Sequence, residues 1–191
     1  MTGGLAARKA EARRAAFARR AGAHAAGHPD PSGLLAERLA AAVAERGGPV
    51  AGYVAMRTEI DPAPALLRVA AAGLALPVMA DGPGHPLRFR AWAPGEPLSE
   101  GGFGTRVPAA GDWVSPRVLV VPLVAFDRRG GRLGYGGGFY DRTLAGLRAA
   151  GPVTAIGFAW AAQEARGLPL EPTDAPLDLV VTEGEVLGPF A

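Results

Sequence analysis

The stretch VLVVPLVAF at Val118 to Phe126 runs without interruption into DRRGGRLGYGGGFYD at Asp127 to Asp141, and then into RTLAGLRAA at Arg142 to Ala150. A short apolar, β-branched run reads as a buried strand, and the residues from Tyr140 to Ala150 read as a helix closed by Gly151. That order puts the glycine-rich segment at the carboxyl end of a sheet strand, where open α/β sheets bind their ligands. Gly134, Gly136, Gly137 and Gly138 lack side chains, so main-chain N–H groups can close around an anion, with the positive end of the next helix behind them. Arg132 supplies a full charge to the same place. Two familiar loops are excluded: Phe139 stands where a dinucleotide fingerprint needs Gly or Ala, and no Lys-Ser or Lys-Thr follows the last glycine as a P-loop requires. The plain alternative is a flexible turn, but such turns seldom combine Arg, Tyr and Asp.

Upstream, Val50 to Met56 reads as a buried strand, Asp61 and Pro62 start a helix that Gly73 ends, and Leu74 to Met79 is the next strand. Strand, helix, strand is the unit from which parallel sheets are built. Two helices precede it. One covers Leu5 to Ala21, and a second is capped by Ser32, ends before Gly47 and carries Leu34, Leu35, Leu39 and Val43 as its apolar stripe. Asp81 to Val114 is rich in Gly and Pro and reads as an irregular excursion with one strand, Leu87 to Trp92. Downstream, Val153 to Trp160 and Leu177 to Thr182 are the last strands. The expected architecture is therefore a three-layer α/β/α fold with a Rossmann-like, mostly parallel sheet, built as a single domain over residues 1–191.

Composition narrows the function. The 191 residues are 49% hydrophobic and 20% charged, which is ordinary for a globular chain. There is no cysteine, which excludes disulfides, thiolate zinc sites and a catalytic thiol. Neither a cleavable apolar leader nor a run of about 18 apolar residues occurs, so a cytoplasmic protein with no membrane partner is expected. The net charge of +2 is too small for a nucleic-acid-binding surface across the whole chain. Arg8, Lys9, Arg13, Arg14, Arg19 and Arg20 nevertheless cluster against Glu11 alone, either as a solvated helix face or as a face turned toward an anion. Of the 20 Lys and Arg residues only Lys9 is a lysine, which hints at a place where a compact ammonium is wanted. His24, His28 and His85 lack metal-ligand spacing, and Asp127, followed by Gly130 and Gly131, reads as a turn former.

The segment FDRRGGRLGYGGGFYDR resembles the signature of the 5-formyltetrahydrofolate cyclo-ligases, also called methenyltetrahydrofolate synthetases. Three further pieces fall in the same order: KAEAR at Lys9 to Arg13, TEIDPAPALL at Thr58 to Leu67, and LEPTDAPLDLVVT at Leu170 to Thr182. The resemblance implies that Lys9 and Arg13 meet nucleotide phosphates and substrate, and that Val54 and Glu59 border the folate. It implies an ATP-binding loop made of Arg132, Leu133, Gly134, Tyr135, Gly136, Gly137, Gly138, Phe139 and Tyr140. Tyr135 and Phe139 would also border the folate, and Asp141 and Asp174 would hold Mg2+. Two departures stand out: Phe139 replaces a frequent tyrosine, and Val107 in FGTRVP replaces a usual glutamate.

The activity so implied is ATP-dependent closure of 5-formyltetrahydrofolate to 5,10-methenyltetrahydrofolate, with phosphorylation of the formyl oxygen and release of ADP and phosphate. Arg132 and Lys9 would be the catalytic cations, and a monomer is expected. Some of these residues have structural explanations as well. Asp141 lies in a helix first turn, where an acidic residue is favoured by the helix dipole, and Asp174 follows Pro172 as a turn residue would. The competing functions are a nucleotide-binding relative that acts on a non-folate ligand or regulates, and, last, a nucleic-acid binder using the basic first helix.

Overall fold

A computed structural model describes residues 4–27 and 29–190, so His28 lies outside the described residues. The helices are α1 (Leu5–Ala26), α2 (Ser32–Arg46), α3 (Ala63–Arg68) and α4 (Phe139–Ala150). The strands in the first part are β1 (Val50–Ala51), β2 (Leu74–Val78), β3 (Arg88–Ala91), β4 (Leu98–Glu100), β5 (Arg106–Pro108) and β6 (Trp113–Val114). Those in the second part are β7 (Val118–Val121), β8 (Ala125–Phe126), β9 (Arg132–Leu133), β10 (Thr154–Phe158), β11 (Leu179–Val181) and β12 (Val186–Leu187).

One sheet runs β12-β11-β10-β7-β1-β2-β3-β6. Its five inner members are parallel, and β12, β3 and β6 attach through antiparallel pairings at the two ends. Taken in chain order the parallel strands stand as 2-1-3-4-5, the doubly wound order whose switch point lies between β1 and β7. The expected mostly parallel α/β sheet is thus present, with this strand order as its refinement.

Side chains alternate across the sheet and so divide the core. Val118, Val120, Ile156 and Phe158 pack with α2 and α3, while Leu119, Val121 and Ala155 pack with Leu144 of α4. A third cluster joins Ala16 of α1 to Val124, Ala125 and Leu133 of the β8–β9 hairpin. Helices therefore cover both faces, and α1 lies over the hairpin that leads into the glycine loop.

Several boundaries differ from the sequence reading, each for a local reason. The strand expected over Val50 to Met56 stops at Ala51: Gly52 makes a last bond to Ala75 O (3.0 Å), and the chain then leaves the sheet toward Arg57, which holds a φ of 56°. The run expected over Val118 to Phe126 breaks at Pro122, which has no N–H for the ladder. Gln163 Nε2 donates to the carbonyls of Leu123 (2.8 Å) and Val124 (3.2 Å) in the gap. Beyond it, Ala125 and Phe126 pair with Leu133 and Arg132, so the glycine-rich segment begins as a hairpin rather than as one long loop. Asp127 makes the turn as expected, its Oδ1 accepting from Arg129 N–H (2.9 Å) and Gly131 N–H (3.0 Å). Ser32 sits inside α2 rather than capping it; Asp30 accepts from its N–H (2.9 Å) and its hydroxyl (2.6 Å). The helix expected to end at Ala21 runs on to Ala26, where Gly27 closes it in the left-handed region. In Asp81 to Val114 the strand expected over Leu87 to Trp92 is present as β3, and β6 and the β4–β5 hairpin are added to it.

Candidate functional site

A cleft of about 1360 Å³ opens at the carboxyl ends of β1 and β7, at the switch point of the sheet. Tyr53 and Val54 line it just beyond β1, and Pro122 lines it just beyond β7. Every residue singled out for the site borders this one cleft, from Lys9 and Arg13 through Val54, Glu59 and residues 132–141 to Asp174.

The glycine loop reaches the cleft with its donors unused. Among the described residues, no N–H from Gly134 to Gly138 donates a hydrogen bond within the chain. The loop's carbonyls are instead drawn away: Arg13 Nε donates to Gly134 O at 2.8 Å and Arg142 Nη2 to Gly137 O at 2.7 Å. Gly136 at φ 103° and Gly138 at φ 65° hold this conformation, the first beyond what a side chain readily allows. Exposed N–H groups with their carbonyls held by guanidinium groups form a nest for an anion.

Two cations flank the loop, and each is paired. Lys9 is 7% exposed; its ammonium donates to Glu171 Oε1 and to Asp174 Oδ1 (2.9 Å) and Oδ2 (2.7 Å). Burial acts to lower the Lys9 pKa, but the hydrogen bonds to Asp174 and Glu171 outweigh it and the net shift is upward. Arg132 is 4% exposed, and its Nη2 donates to Asp141 Oδ1 at 2.7 Å. Burial pulls its pKa down while Asp141 holds it up. Asp141 Oδ1 also accepts from Ala175 N–H at 3.0 Å, which ties α4 to the 171–176 turn. Among the described residues Asp141 Oδ2 has no partner, and no group of three or more acidic or histidine side chains is close enough to hold a metal by itself.

The other end of the cleft is more apolar. Tyr135, 46% exposed, donates from its hydroxyl to Glu59 Oε1 at 2.8 Å, and Glu59 Oε2 accepts from Met56 N–H at 2.9 Å. Phe139 meets Phe103 edge-on, with ring centroids 6.4 Å apart. Tyr53 donates to Ile60 O at 2.7 Å, and burial raises the pKa of both Tyr53 and Tyr140. Leu133, by contrast, is 2% exposed and belongs to the core beneath the loop. Val107 is buried in β5, and it is its neighbours Thr105 and Arg106 that border the cleft, so the departure at Val107 falls behind the wall.

Sequence reasoning missed two participants. Glu171 carried no signal beyond its place in LEPTDAPLDLVVT, yet it shares Lys9 with Asp174. Arg20 was counted in the basic cluster, yet it is 1% exposed. The available signal was spacing: Arg13, Phe17 and Arg20 recur at intervals of four and three, which places them on one helix face.

Unused main-chain donors, two buried cations and four carboxylates thus meet at the switch point of a doubly wound fold, an arrangement suited to a polyanion beside a partly apolar ligand. The sequence pattern of the 5-formyltetrahydrofolate cyclo-ligase family matches residues 6–183, and the chain belongs to that family. The 5-formyltetrahydrofolate cyclo-ligase of Haemophilus influenzae is 39% identical over 112 residues, covering 56% of this chain and 59% of the relative. That of Escherichia coli K12 is 49% identical over 69 residues, covering 36% of this chain and 37% of the relative. The chain thus aligns with little more than half the length, or less, of these curated relatives. Over the whole fold, the 5,10-methenyltetrahydrofolate synthetase of Aquifex aeolicus superposes with a TM-score of 0.74 at 28% identity, covering 95% of this chain and 92% of that one. The fold is shared also with a 5,10-methenyltetrahydrofolate synthetase from Mycoplasma pneumoniae, at TM-score 0.63 and 19% identity, covering 92% of this chain and 98% of that one. No helix among the described residues is long and apolar enough to cross a membrane.

Proposed function

We propose that this chain is an ATP-dependent cyclo-ligase that converts 5-formyltetrahydrofolate to 5,10-methenyltetrahydrofolate, acting as a cytoplasmic monomer whose single domain carries the whole site. Family membership supports the reaction class. The observation that carries the reading is the set of unused N–H groups from Gly134 to Gly138, joined through Tyr135 to Glu59 in one cleft. The first suits a triphosphate, the second a heteroaromatic ring system with N–H donors.

The chemistry asks for positioning and charge neutralisation. A formyl amide oxygen is a poor leaving group. Its attack on the γ-phosphorus of ATP breaks the bond to ADP and turns it into a phosphate ester. The second folate nitrogen then bonds to the formyl carbon, loses its proton and expels phosphate. Phosphoryl transfer of this kind depends on in-line alignment and on donors aimed at the equatorial oxygens. The Gly134–Gly138 amides and Arg132 supply those donors, and Lys9 can leave Glu171 and Asp174 for a phosphate oxygen. Glu59 orients the folate, while Phe139 and Tyr135 offer ring faces to it.

Asp141 and Asp174 would hold a magnesium ion that keeps several waters: Asp141 Oδ2 is free among the described residues, and the Asp174 oxygens, now bonded to Lys9, are released when that ammonium turns to a phosphate. When bound, such an ion neutralises charge on the β- and γ-phosphates. The direct test is turnover of the purified chain with ATP, magnesium and 5-formyltetrahydrofolate, followed by the near-ultraviolet absorbance of the methenyl product. Asp141→Asn is the informative companion, because the amide oxygen still accepts from Arg132 and Ala175 N–H. Its kcat should fall at least about 100-fold and need more magnesium. A folded wild type with no methenyl signal but tight ATP binding overturns the folate assignment in favour of a nucleotide-binding relative with another ligand.

A further inference from the structure

Arg20 lies behind the cleft wall and does not border the cavity, yet it is the most buried charge in the described chain. Its guanidinium lies beside the rings of Phe17 and Tyr135, 5.2 and 5.5 Å from their centroids, which are themselves 5.4 Å apart. Nε donates to Thr58 Oγ1 at 3.0 Å and Nη2 to the Tyr135 hydroxyl at 2.8 Å. Nη1 has no hydrogen-bond partner and stands 3.7 Å from Glu59 Oε1. The Tyr135 hydroxyl, having accepted from Arg20, passes its own proton donor to that same Glu59 oxygen at 2.8 Å.

We infer that Arg20 is a positioning residue that joins the two halves of the site, fixing the Glu59 carboxylate and, through Tyr135, the glycine loop. The inference rests on the cyclo-ligase reading and adds a residue to it. Three elements converge on this guanidinium: α1 by the side chain itself, the post-β1 segment by Thr58 and Glu59, and the loop by Tyr135. A buried cation so surrounded is costly unless its acceptors are held in place, so the chain gains a fixed orientation of the Glu59 side chain. The planar fork matters here: Nε and Nη2 donate in two directions at once, to the hydroxyls of Thr58 and Tyr135, with the guanidinium beside two rings. A purely structural arginine would need neither contact with cleft-lining groups.

The test compares wild type with Arg20→Met, Arg20→Lys, Tyr135→Phe and the double variant Arg20→Met/Tyr135→Phe, each checked for folding by circular dichroism and thermal melting. Arg20→Met should raise KM for 5-formyltetrahydrofolate roughly tenfold or more, with a smaller change in KM for ATP. Arg20→Lys should fail to restore it, and the double variant should lose no more than the worse single variant, since both break one chain of contacts. A folded Arg20→Met whose loss lies in melting temperature or active fraction, with KM unchanged, overturns the inference. Should Arg20→Met not fold, Tyr135→Phe decides alone, because its half-exposed ring stays in place and only the hydroxyl relay is cut; an unchanged folate KM there refutes the inference. An inactive wild type would refute the cyclo-ligase reading instead, and is told apart by the absence of any product in the parent protein.

Discussion

Lys9 is where the chain's charge, burial and composition converge. The ammonium has three donors and spends them on Glu171 and both oxygens of Asp174. Its pKa in the folded chain is raised above the ordinary 10.5, because the two carboxylates outweigh burial. A raised lysine pKa contributes stability that is complete below the unfolded value and is lost as pH climbs through the folded one. Lys9→Met should therefore melt a few degrees below wild type at pH 8, and the gap should close as the pH rises past 10.5. A gap that persists unchanged at pH 12 would show that packing of the stem, not charge, accounts for the difference. The importance of Lys9 could be read from its being the only lysine, but its partners could not. Glu171 and Asp174 lie more than 160 positions away, and turn residues carry no pattern that points to a distant cation. Arg20 was hidden for the opposite reason: six basic residues within thirteen positions look like a solvated face, and only the fold shows which of them is 1% exposed.

At the level of the element, the glycine loop is defined by what its backbone must do. Gly136 holds a φ of 103°, and a Cβ built there would touch the Arg13 guanidinium carbon at 3.4 Å. Gly136→Ala should cost on the order of 1–3 kcal/mol of backbone strain, relieved by local movement of the loop. Because the loop is exposed at this point, the effect should appear mainly as weaker nucleotide binding, with ATP affinity down roughly tenfold and the melting temperature little changed; titration with a non-hydrolysable ATP analogue measures it. Equal affinity in the variant would mean that the amides at 135–137 do not close on the phosphates. The loop's role was legible because glycine spacing, a preceding strand and a following helix all point the same way. The hairpin inside it was not. Pro122 marks a break in the strand, but only the pairing of Ala125 and Phe126 with Leu133 and Arg132 shows that the chain turns back before the glycines. In the Asp81–Val114 stretch β3 was legible, but β4, β5 and β6, of two or three residues each, are too short for a period-2 pattern to show.

Across the whole molecule, the cleft is assembled from segments far apart in the chain: α1, the end of β1, the loop before α4 and the 171–176 turn. The sequence allowed a parallel sheet to be expected from alternating strands and helices, but not the strand order, which depends on which faces the helices cover. That order puts the switch point between β1 and β7 and so brings residues 9, 59, 132 and 174 to one opening. Since the lining segments belong to all three layers, a ligand that fills the cleft binds only when they are assembled, and its binding energy adds to folding. At about 100 times its Kd, one such ligand contributes about 2.7 kcal/mol. For a chain of this size that corresponds to roughly 5–10 °C in melting temperature. An ATP analogue and 5-formyltetrahydrofolate, each at that excess, should both raise the melting temperature by this amount, and the two together by at least the sum. If the glycine loop and the Glu59 end were independent local sites that open without global unfolding, either ligand would protect only its own amides from hydrogen exchange, leaving β7 and β10 exchanging at the unliganded rate. Slowed exchange in both central strands, whichever ligand is added, is the result that the shared assembly requires.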